Sequence, residues 1–375
     1  MKVSILRKIS IAIATLLASS TVFAGMDMDS RVTQLENQMQ QVRTETAIGT
    51  YGAQTATTRP EVDGYGWNFT VNALYWHAKV GGTEFAYTDQ DPLGNLPISG
   101  RAKDIDFSWD WGLRFGLGYN LDYDGWDVRA MYTWFDSNDH SSTGAGQNSS
   151  VVPLKGSSKI VDDVNRFQFC NSAKSQFDFD YQTIILELGR AYFVSSQISF
   201  RPHWGLKTAW IDQKQKTTYS GGEAEGETLG LGVNNVKVKE ESDFWGLGPR
   251  AGVNSKWHLG KSFSIFGNIA AAVLYGKFDV DHRERFSAVE DRRIKLSANR
   301  HAFSPNLQMQ LGLRYDGYFK NNKHHLGIGL GYEAQYWWRQ NQILKINDDR
   351  NVIKYDRYSE DVNIYGLTLD VTWDF

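Results

Sequence analysis

The sequence is poor in the residues that build disulfide scaffolds, helical membrane spans and nucleic-acid surfaces. One cysteine, Cys170, in 375 residues excludes an intramolecular disulfide and a zinc site made of cysteine pairs. After residue 24, no stretch approaches the ~18 consecutive apolar residues that a membrane-spanning helix needs. The formal charge of −3 is too small to indicate a nucleic-acid partner. These shortages therefore exclude three broad classes of protein.

Aromatic residues, in contrast, are abundant. The chain contains 13 Trp, 18 Tyr and 20 Phe, so that 14% of its residues are aromatic, together with 35 Gly. A disordered chain would lack such large apolar side chains. The composition predicts a folded chain that places many rings on a large surface or in a core.

The N-terminus has the three parts of a secretory signal. Lys2, Arg7 and Lys8 precede an apolar run at 9–18, and small residues Val22 and Ala24 stand before a cleavage point at Gly25. We therefore predict a signal peptide at 1–24, which implies an exported chain. Its removal takes away three cations and leaves a mature charge of −6.

A short helix is predicted next, within a periplasmic segment at 25–60 that ends as a linker. Apolar residues spaced four and three apart fit a coiled coil over 28–42, namely Met28, Val32, Leu35, Met39 and Val42. This helix would form a homotrimer or contact peptidoglycan. The alternative is an amphipathic helix that plugs or lines the mouth of a barrel.

The remainder, 61–375, shows the alternation of β-strands. From Ile105 to Tyr119 every second residue is large and apolar, and the residues between are polar or small. Strand side chains alternate between two faces, so one face is apolar and the other polar. A strand of this length and pattern is typical of a membrane-spanning barrel, with its apolar face toward lipid.

The same pattern recurs along the chain and predicts an all-β fold, a transmembrane antiparallel β-barrel of about ten strands. The other strands are predicted near 65–75, 126–134, 177–193, 200–210, 245–257, 263–278, 307–315, 326–336 and 365–375. In 177–193 the alternation changes phase near Thr183, which we interpret as a bulge. Twelve to sixteen strands are an alternative, because the longer links have room for more.

The links between these strands alternate between short and long. Short links lie near 121–125, 194–197, 258–261 and 317–323, and long polar links lie near 78–104, 136–176, 212–242, 279–301 and 339–361. Barrels of the bacterial outer membrane have short periplasmic turns and long extracellular loops. We therefore predict periplasmic termini and five long loops at the cell surface.

The last strand carries an apolar face that ends on the final residue. Leu369, Val371, Trp373 and Phe375 alternate to the C-terminus, which resembles the signal by which outer-membrane barrels are recognised for assembly. A closing strand must also pair with the first strand so that no edge remains. The predicted location is the bacterial outer membrane. The predicted partners are its lipid and lipopolysaccharide and the barrel-assembly machinery.

Several strand motifs resemble one known family. The segments 244–252 (FWGLGPRAG), 331–342 (GYEAQYWWRQNQ), 186–190 (LELGR) and 201–211 (RPHWGLKTAWI) are similar to motifs of the Legionella-type major outer membrane protein family, and they occur in the same order. The resemblance implies a pore-forming, abundant surface protein of an intracellular Gram-negative or chlamydia-like bacterium. It also implies surface loops that are available to host molecules.

The polar face of the strands supplies a set of charged residues for the lumen. The residues predicted to line the lumen and set its ion selectivity are Asp106, Asp110, Arg114, Asp127, Arg129, Arg201, His203, Lys207, Arg250, Arg314, Asp316 and Glu333. Rings of charge select ions through their field, but the two signs are nearly balanced here. In the alternative interpretation, opposite charges pair across the lumen and close it. Inward glycines either leave space or let the strands coil tightly.

The functional prediction is a porin-like barrel, giving weakly selective conductance steps for small hydrophilic solutes and ions. One alternative is an adhesin or structural protein with a closed lumen, whose loops bind host molecules. A surface protease is a further alternative, based on Asp139-His140, Asp281-His282, Asp162-Asp163 and Asp348-Asp349, although chance explains these pairs. No enzymatic activity, cofactor or metal is predicted. Cys170, expected in an outer loop, could cross-link neighbouring molecules.

Overall fold

The computed structural model describes residues 66–90, 99–121, 125–157, 169–221, 235–260, 262–287, 293–320, 323–349 and 352–375. The predicted signal peptide at 1–24, the helix and linker at 25–60 and the trimer segment at 28–42 lie outside these residues. In the ranges described, no helix is long and apolar enough to cross a membrane.

Fourteen strands form in these ranges, because β-branched and aromatic residues recur at every second position. The strands are β1 (Trp67–Val80), β2 (Ala86–Asp89), β3 (Gly100–Lys103), β4 (Trp109–Asn120), β5 (Trp126–Gly144), β6 (Ser150–Pro153), β7 (Ser172–Arg190), β8 (Tyr192–Phe193), β9 (Ile198–Ser220), β10 (Asn235–Gly260), β11 (Phe263–Phe286), β12 (Arg293–Phe319), β13 (His324–Asp349) and β14 (Val352–Asp374).

Ten of these strands close into an antiparallel barrel, which confirms the predicted fold and strand number. Around the barrel the order is β1, β4, β5, β7, β9, β10, β11, β12, β13 and β14. β14 returns to β1 along its length, and Trp67 and Phe375 exchange two backbone hydrogen bonds of 3.0 and 3.2 Å. The barrel therefore has no free edge, as a lipid environment requires.

The outward face of a barrel strand changes character along its length. In β10 the outward side chains of Trp245, Leu247 and Trp257 are exposed and apolar, whereas those of Lys237 and Lys239 are charged. A lipid-facing barrel wall needs about ten residues per strand, with apolar side chains at the outward, alternate positions. The band spans residues 245–259 of β10 and leaves 235–244 beyond it, on the side away from the chain ends.

The inward face changes in the opposite sense. In β10 the inward residues of the lipid-facing band include a buried arginine, Arg250, whereas Val236, Val238 and Phe244 beyond the band are buried and apolar. The barrel thus has a polar lumen at membrane level and an apolar core in the part that projects from the membrane.

The exchange of apolar and polar faces along each strand explains why the predicted loop lengths are wrong. Three of the links expected to be long, at 212–242, 279–301 and 339–361, consist mostly of paired strand, and only 221–234, 287–292 and 350–351 separate those strands. The error has a physical cause. These segments alternate as strands do, but their charged face points outward, so they do not read as lipid-facing strands.

The bulge predicted near Thr183 is wrong for the same reason. β7 pairs with β5 and β9 without a register shift. Inward Phe177 and Phe179 lie beyond the lipid-facing band, and outward Ile184 and Leu186 lie within it. The apparent change of phase is the change from an apolar inward face to an apolar outward face.

A small sheet covers the barrel at the end away from the chain termini. β2 pairs with both β3 and β6, and its residue Ala86, together with Phe85 and Val151, joins the apolar core. Cys170 also belongs to this core and is fully buried, with its Sγ donating to the carbonyl of Val151 at 3.3 Å. The structure therefore does not place Cys170 where it could cross-link neighbours.

Candidate functional site: the barrel lumen

A network of buried ion pairs crosses the lumen in the half nearer the chain ends. Arg201 of β9 donates from Nε to Asp127 Oδ2 at 2.8 Å and from Nη1 to Glu187 Oε1 at 2.7 Å. Arg250 of β10 donates to the second oxygen of Glu187 at 2.7 Å. His203 Nδ1 lies 3.2 Å from that same oxygen. Two arginines and two carboxylates thereby neutralise one another.

A second pair spans the barrel between strands that are not neighbours. Arg114 of β4 donates to both oxygens of Glu333 on β13, at 3.0 and 2.7 Å, and its Nε donates to Thr133. Glu333 is fully buried and also accepts hydrogen bonds from Gln308 and Gln335. A bidentate, fully partnered pair of this kind has a fixed geometry.

A third cluster lies at the end of the lumen near the chain termini. Arg314 contacts Asp316 at 2.9 Å and Asp370 at 2.6 Å. Asp316 is also 3.2 Å from the ammonium of Lys256 and 3.0 Å from Nε2 of His325. These charges are paired in the same way as those of the first two groups.

Above the ion pairs, a layer of buried aromatic rings lies in the lumen. Trp76, Trp337, Tyr181 and Phe135 are all fully buried, and their rings meet in pairs, Trp76 with Phe135 at 5.7 Å and Tyr181 with Trp337 at 6.1 Å. The ammonium of Lys207 lies 4.7 Å from the centre of the Trp337 ring. This layer separates the polar part of the lumen from the apolar core of the projecting part.

A polar cavity of about 240 Å³ remains between the ion pairs. Arg114, Arg129, Arg201, Arg250 and Arg314 line it. Its walls also carry carboxylates that pair with these arginines, so the cavity is charged but nearly neutral. A cavity of this size has room for several water molecules or small ions.

The inward glycines serve both of the roles left open by the sequence: some make room for lumen side chains, and others let neighbouring strands approach closely, as at Gly248, where a Cβ would lie 1.9 Å from the backbone oxygen of Val273. A Cβ at Gly189 would lie 2.5 Å from the guanidinium of Arg201, and a Cβ at Gly327 would lie 1.9 Å from that of Arg314. The space at these glycines is therefore occupied by arginine side chains.

A further buried charged cluster, which we call the latch, joins the covering sheet to the barrel wall. Lys155, just after β6, contacts Glu240 of β10 at 2.9 Å, and the amide of Ser157 donates to Glu284 of β11 at 2.9 Å. His282 lies between these two carboxylates, 3.4 Å from Glu240 and 2.8 Å from Glu284.

The latch perturbs the pKa values of its groups, which lie outside the lipid-facing band. Burial lowers the pKa of His282, but the nearby carboxylates of Glu240 and Glu284 outweigh it and raise the pKa to about 9. Burial raises the pKa of Glu240, but Lys155 and His282 outweigh it and bring the pKa below its usual range. His282 and Glu240 are therefore both charged at neutral pH.

Most residues predicted to line the lumen do face it. The inward-facing ones are Arg114, Asp127, Arg129, Arg201, His203, Lys207, Arg250, Arg314, Asp316 and Glu333. Asp110 lies opposite Trp76 at the outer end of β4 and is half-buried. The prediction that Asp106 lines the lumen is wrong. Asp106 precedes β4 and is exposed, because its neighbour Ile105 is buried in the apolar core.

Sequence reasoning missed five of the charged partners in the lumen. The missed residues are Glu187, Lys256, His325, Asp370 and Asp374. The signal was present for Asp370 and Asp374, which alternate with the apolar face of the last strand. Because the alternation changes phase near Thr183, the sequence did not show that Glu187 lies on the inward face.

The predicted assembly residues lie on the strand that closes the barrel. Outward Trp373 is exposed, Val371 and Leu369 are half-buried, and the ring of Phe375 stacks on that of Phe69 at 5.8 Å. Recognition of this strand by the assembly machinery stays a prediction.

The Asp-His pairs that suggested a protease are split by the strand alternation. Asp139 faces inward and accepts hydrogen bonds from Ser108 and Ser137, whereas His140 is exposed. His282 faces inward and its neighbour Asp281 faces outward. Asp162-Asp163 lies outside the described residues, as do the side chains of Asp348-Asp349. Among the described residues, no group of three or more His, Cys, Asp or Glu could hold a metal ion.

Comparison with known proteins yields one family match. The family model described as Legionella pneumophila major outer membrane protein precursor matches residues 58–375. No curated protein matches the chain.

Solved outer-membrane barrels show a weak similarity. The toluene transporter TodX of Pseudomonas putida is 10% identical, with 87% of this chain and 95% of that chain covered and a TM-score of 0.27. The translocator domain of the autotransporter NalP from Neisseria meningitidis is 9% identical, with coverage of 93% and 97% and a TM-score of 0.29. A FadL homologue of Pseudomonas aeruginosa is 8% identical, with coverage of 82% and 90% and a TM-score of 0.24. Because these TM-scores are low, neither fold nor function is inferred from these similarities.

Proposed function

This chain belongs to the family of the Legionella pneumophila major outer membrane protein, and on that premise we propose that it is an outer-membrane barrel with a sealed lumen, serving as a structural and surface-presenting protein. The observation that carries the proposal is the layer of fully buried rings across the lumen, Trp76, Trp337, Tyr181 and Phe135. An open diffusion pore needs a continuous aqueous path, and this layer interrupts it.

The free energy of opening supports a sealed resting state. Exposing one buried aromatic side chain to water costs roughly 1.5–3 kcal/mol. Movement of the layer would expose several rings to water, so the open form would be a minor population.

The projecting part of the barrel supports a surface role. Beyond the lipid-facing band the strands continue as a wall with an apolar core, and the small sheet covers its end. Such a stalk places the ends of its strands, and the loops that join them, above the lipid, where host molecules could bind them. Binding of host molecules through these loops is part of the proposal, and the purified barrel in nanodiscs should attach to host cells.

A porin-like pore is the second candidate function. The charged cavity of about 240 Å³ favours it, because this half of the lumen already holds a polar path. In that case the aromatic layer would act as a gate, and the nearly balanced charges would give weak ion selectivity.

Planar-bilayer recording of the purified chain separates the two candidates. The sealed-lumen proposal expects no discrete conductance steps from the unmodified protein, and steps from the double variant Trp76→Ala/Trp337→Ala. The matched control, Trp134→Ala/Trp245→Ala, removes two outward rings and should stay silent. Regular steps from the unmodified protein would overturn the sealed-lumen proposal and favour the pore.

A further inference from the structure

The outward wall of the projecting part carries two rows of cations across neighbouring strands. In the first row, Lys216 of β9 lies opposite Lys239 of β10, Lys239 opposite Arg283 of β11, and Arg283 opposite Lys295 of β12. The strand pairing therefore places four positive charges side by side.

The second row lies two residues further from the lipid-facing band. Lys237 lies opposite Arg285, and Arg285 lies opposite Arg293. On the other side of Lys237, Thr218 separates it from Lys174 of β7. The two rows surround a concavity of about 740 Å³.

Only part of this charge is compensated within the chain. Lys216, Lys239 and Arg283 contact carboxylates of the row below, at distances of 3.4, 2.5 and 2.6 Å to Asp178, Glu241 and Asp281. Five cations have no carboxylate within 4.0 Å among the described residues, namely Lys174, Lys237, Arg285, Arg293 and Lys295. Like charges directly opposite one another destabilise a sheet, so an anion bound here would relieve a repulsion that the fold otherwise carries.

The position of the rows relative to the lipid indicates the source of that anion. Lys239 and Lys237 lie six and eight residues before Trp245, which marks the edge of the lipid-facing band. At ~3.3 Å per residue and a tilt of roughly 40°, this places them about 15–20 Å above that edge.

The row between the lipid edge and the cations is acidic, since Asp180, Asp212, Asp243 and Asp279 lie opposite one another there. Anions at the level of the lipid head groups would be repelled by this row, whereas anions of the sugar region lie higher, beside the cations. The side chains of the cations point outward from the barrel wall, toward neighbouring lipid molecules.

We propose that the two rows form a binding site for the phosphate- and carboxylate-bearing sugar core of lipopolysaccharide packed against the barrel in the outer leaflet. The paired lysines and arginines contact the core's anionic groups, and the Trp210–Trp245 side of the band contacts its acyl chains. The site goes beyond the proposed function, because it concerns the outer wall and does not depend on whether the lumen conducts.

The test measures binding of the full chain in nanodiscs to rough-type lipopolysaccharide with a phosphorylated core. The variant Lys237→Gln/Arg285→Gln/Arg293→Gln removes three exposed cations of the second row, none of which has a carboxylate within 4.0 Å in the part of the chain that the structure describes. We expect at least tenfold weaker binding and a weaker dependence on salt, because fewer ions are released on binding. The matched control, Lys79→Gln/Arg101→Gln/Lys323→Gln, removes the same charge elsewhere on the exposed surface and should bind like the unmodified protein.

Two further probes identify the anion and its source. The same lipopolysaccharide with its phosphates removed should bind more weakly to the unmodified protein, and free heparin should bind more weakly than lipopolysaccharide. Equal binding by both triple variants would overturn the site. A preference for heparin that is lost in the second-row variant would overturn the proposed occupant in favour of a soluble sulfated glycan. An unchanged melting temperature in both variants establishes that they are folded.

Discussion

Arg114 and Glu333 form a bidentate ion pair across the lumen, with donor–acceptor distances of 3.0 and 2.7 Å. Their strands, β4 and β13, are separated in the barrel by β1 and β14. The pair therefore links two parts of the wall that share no backbone hydrogen bonds, and it lies directly beneath the aromatic layer, with the guanidinium 5.4 Å from the Trp76 ring.

Removing one member of this pair should destabilise the barrel strongly. Glu333→Gln leaves the buried guanidinium of Arg114 without its carboxylate, and we expect a loss of about 3–5 kcal/mol in the free energy of unfolding. Urea unfolding in detergent micelles measures it. The control, Asp279→Asn, breaks the exposed pair with Lys277 and should cost less than about 1 kcal/mol. Equal losses in the two variants would show that the lumen pair has no special role.

The latch between the covering sheet and the wall should give stability a pH dependence. Because folding raises the pKa of His282 to about 9, its stabilising contribution is complete below its unfolded pKa near 6.5 and is lost as pH rises through about 9. The carboxylates of Glu240 and Glu284 supply this effect, and the ammonium of Lys155 faces the same cluster. The melting temperature should therefore fall between pH 7 and 10.

The variant His282→Gln should abolish most of that fall, whereas His301→Gln, which changes an exposed histidine, should not. A melting temperature that falls equally in both variants would assign the pH dependence to other groups.

Cys170 should be unreactive in the folded protein. Burial raises the pKa of its thiol to about 12, so very little thiolate exists at neutral pH, and no reagent can reach it. A maleimide should label it only after unfolding in urea, and a non-reducing gel of the native protein should show no disulfide-linked dimer. Rapid labelling at pH 7 without denaturant would mean that the covering sheet opens readily.

The C-terminal ring should matter for assembly in cells beyond its packing. Phe375 and Phe69 stack on each other, so Phe375→Ala and Phe69→Ala remove the same ring contact. If the terminal aromatic is the assembly signal, only Phe375→Ala should lower the amount of barrel in the outer membrane, measured by immunoblot of membrane fractions. Equal yields from both variants would show that Phe375 contributes only its ring contact with Phe69 and is not an assembly signal.

Sequence alternation predicts the barrel well where lipid selects an apolar outward face. Leu326, Ile328 and Leu330 alternate with glycines in β13, and that regularity is enough to place the strand and its faces. The same reasoning fails where water lies outside the wall. In β10, Lys237 and Lys239 alternate with valines that pack inward, which resembles a polar loop when only lipid-facing strands are sought.

The ion pairs across the lumen are predicted only as an alternative, because the sequence does not show which charges meet across the barrel. The sequence supplies Arg201 and Asp127, but their pairing follows from strand register and from the space above Gly189. The latch of Lys155 on Glu240 joins residues far apart in the chain, and no local pattern marks it.

The most direct measurement of the central claim is the swelling of liposomes that contain the purified, folded barrel, in an isotonic solution of a small sugar such as arabinose. A lumen sealed by Trp76, Trp337, Tyr181 and Phe135 predicts a swelling rate equal to that of protein-free liposomes. Rapid swelling that slows as the sugar becomes larger would contradict the account and establish an open pore.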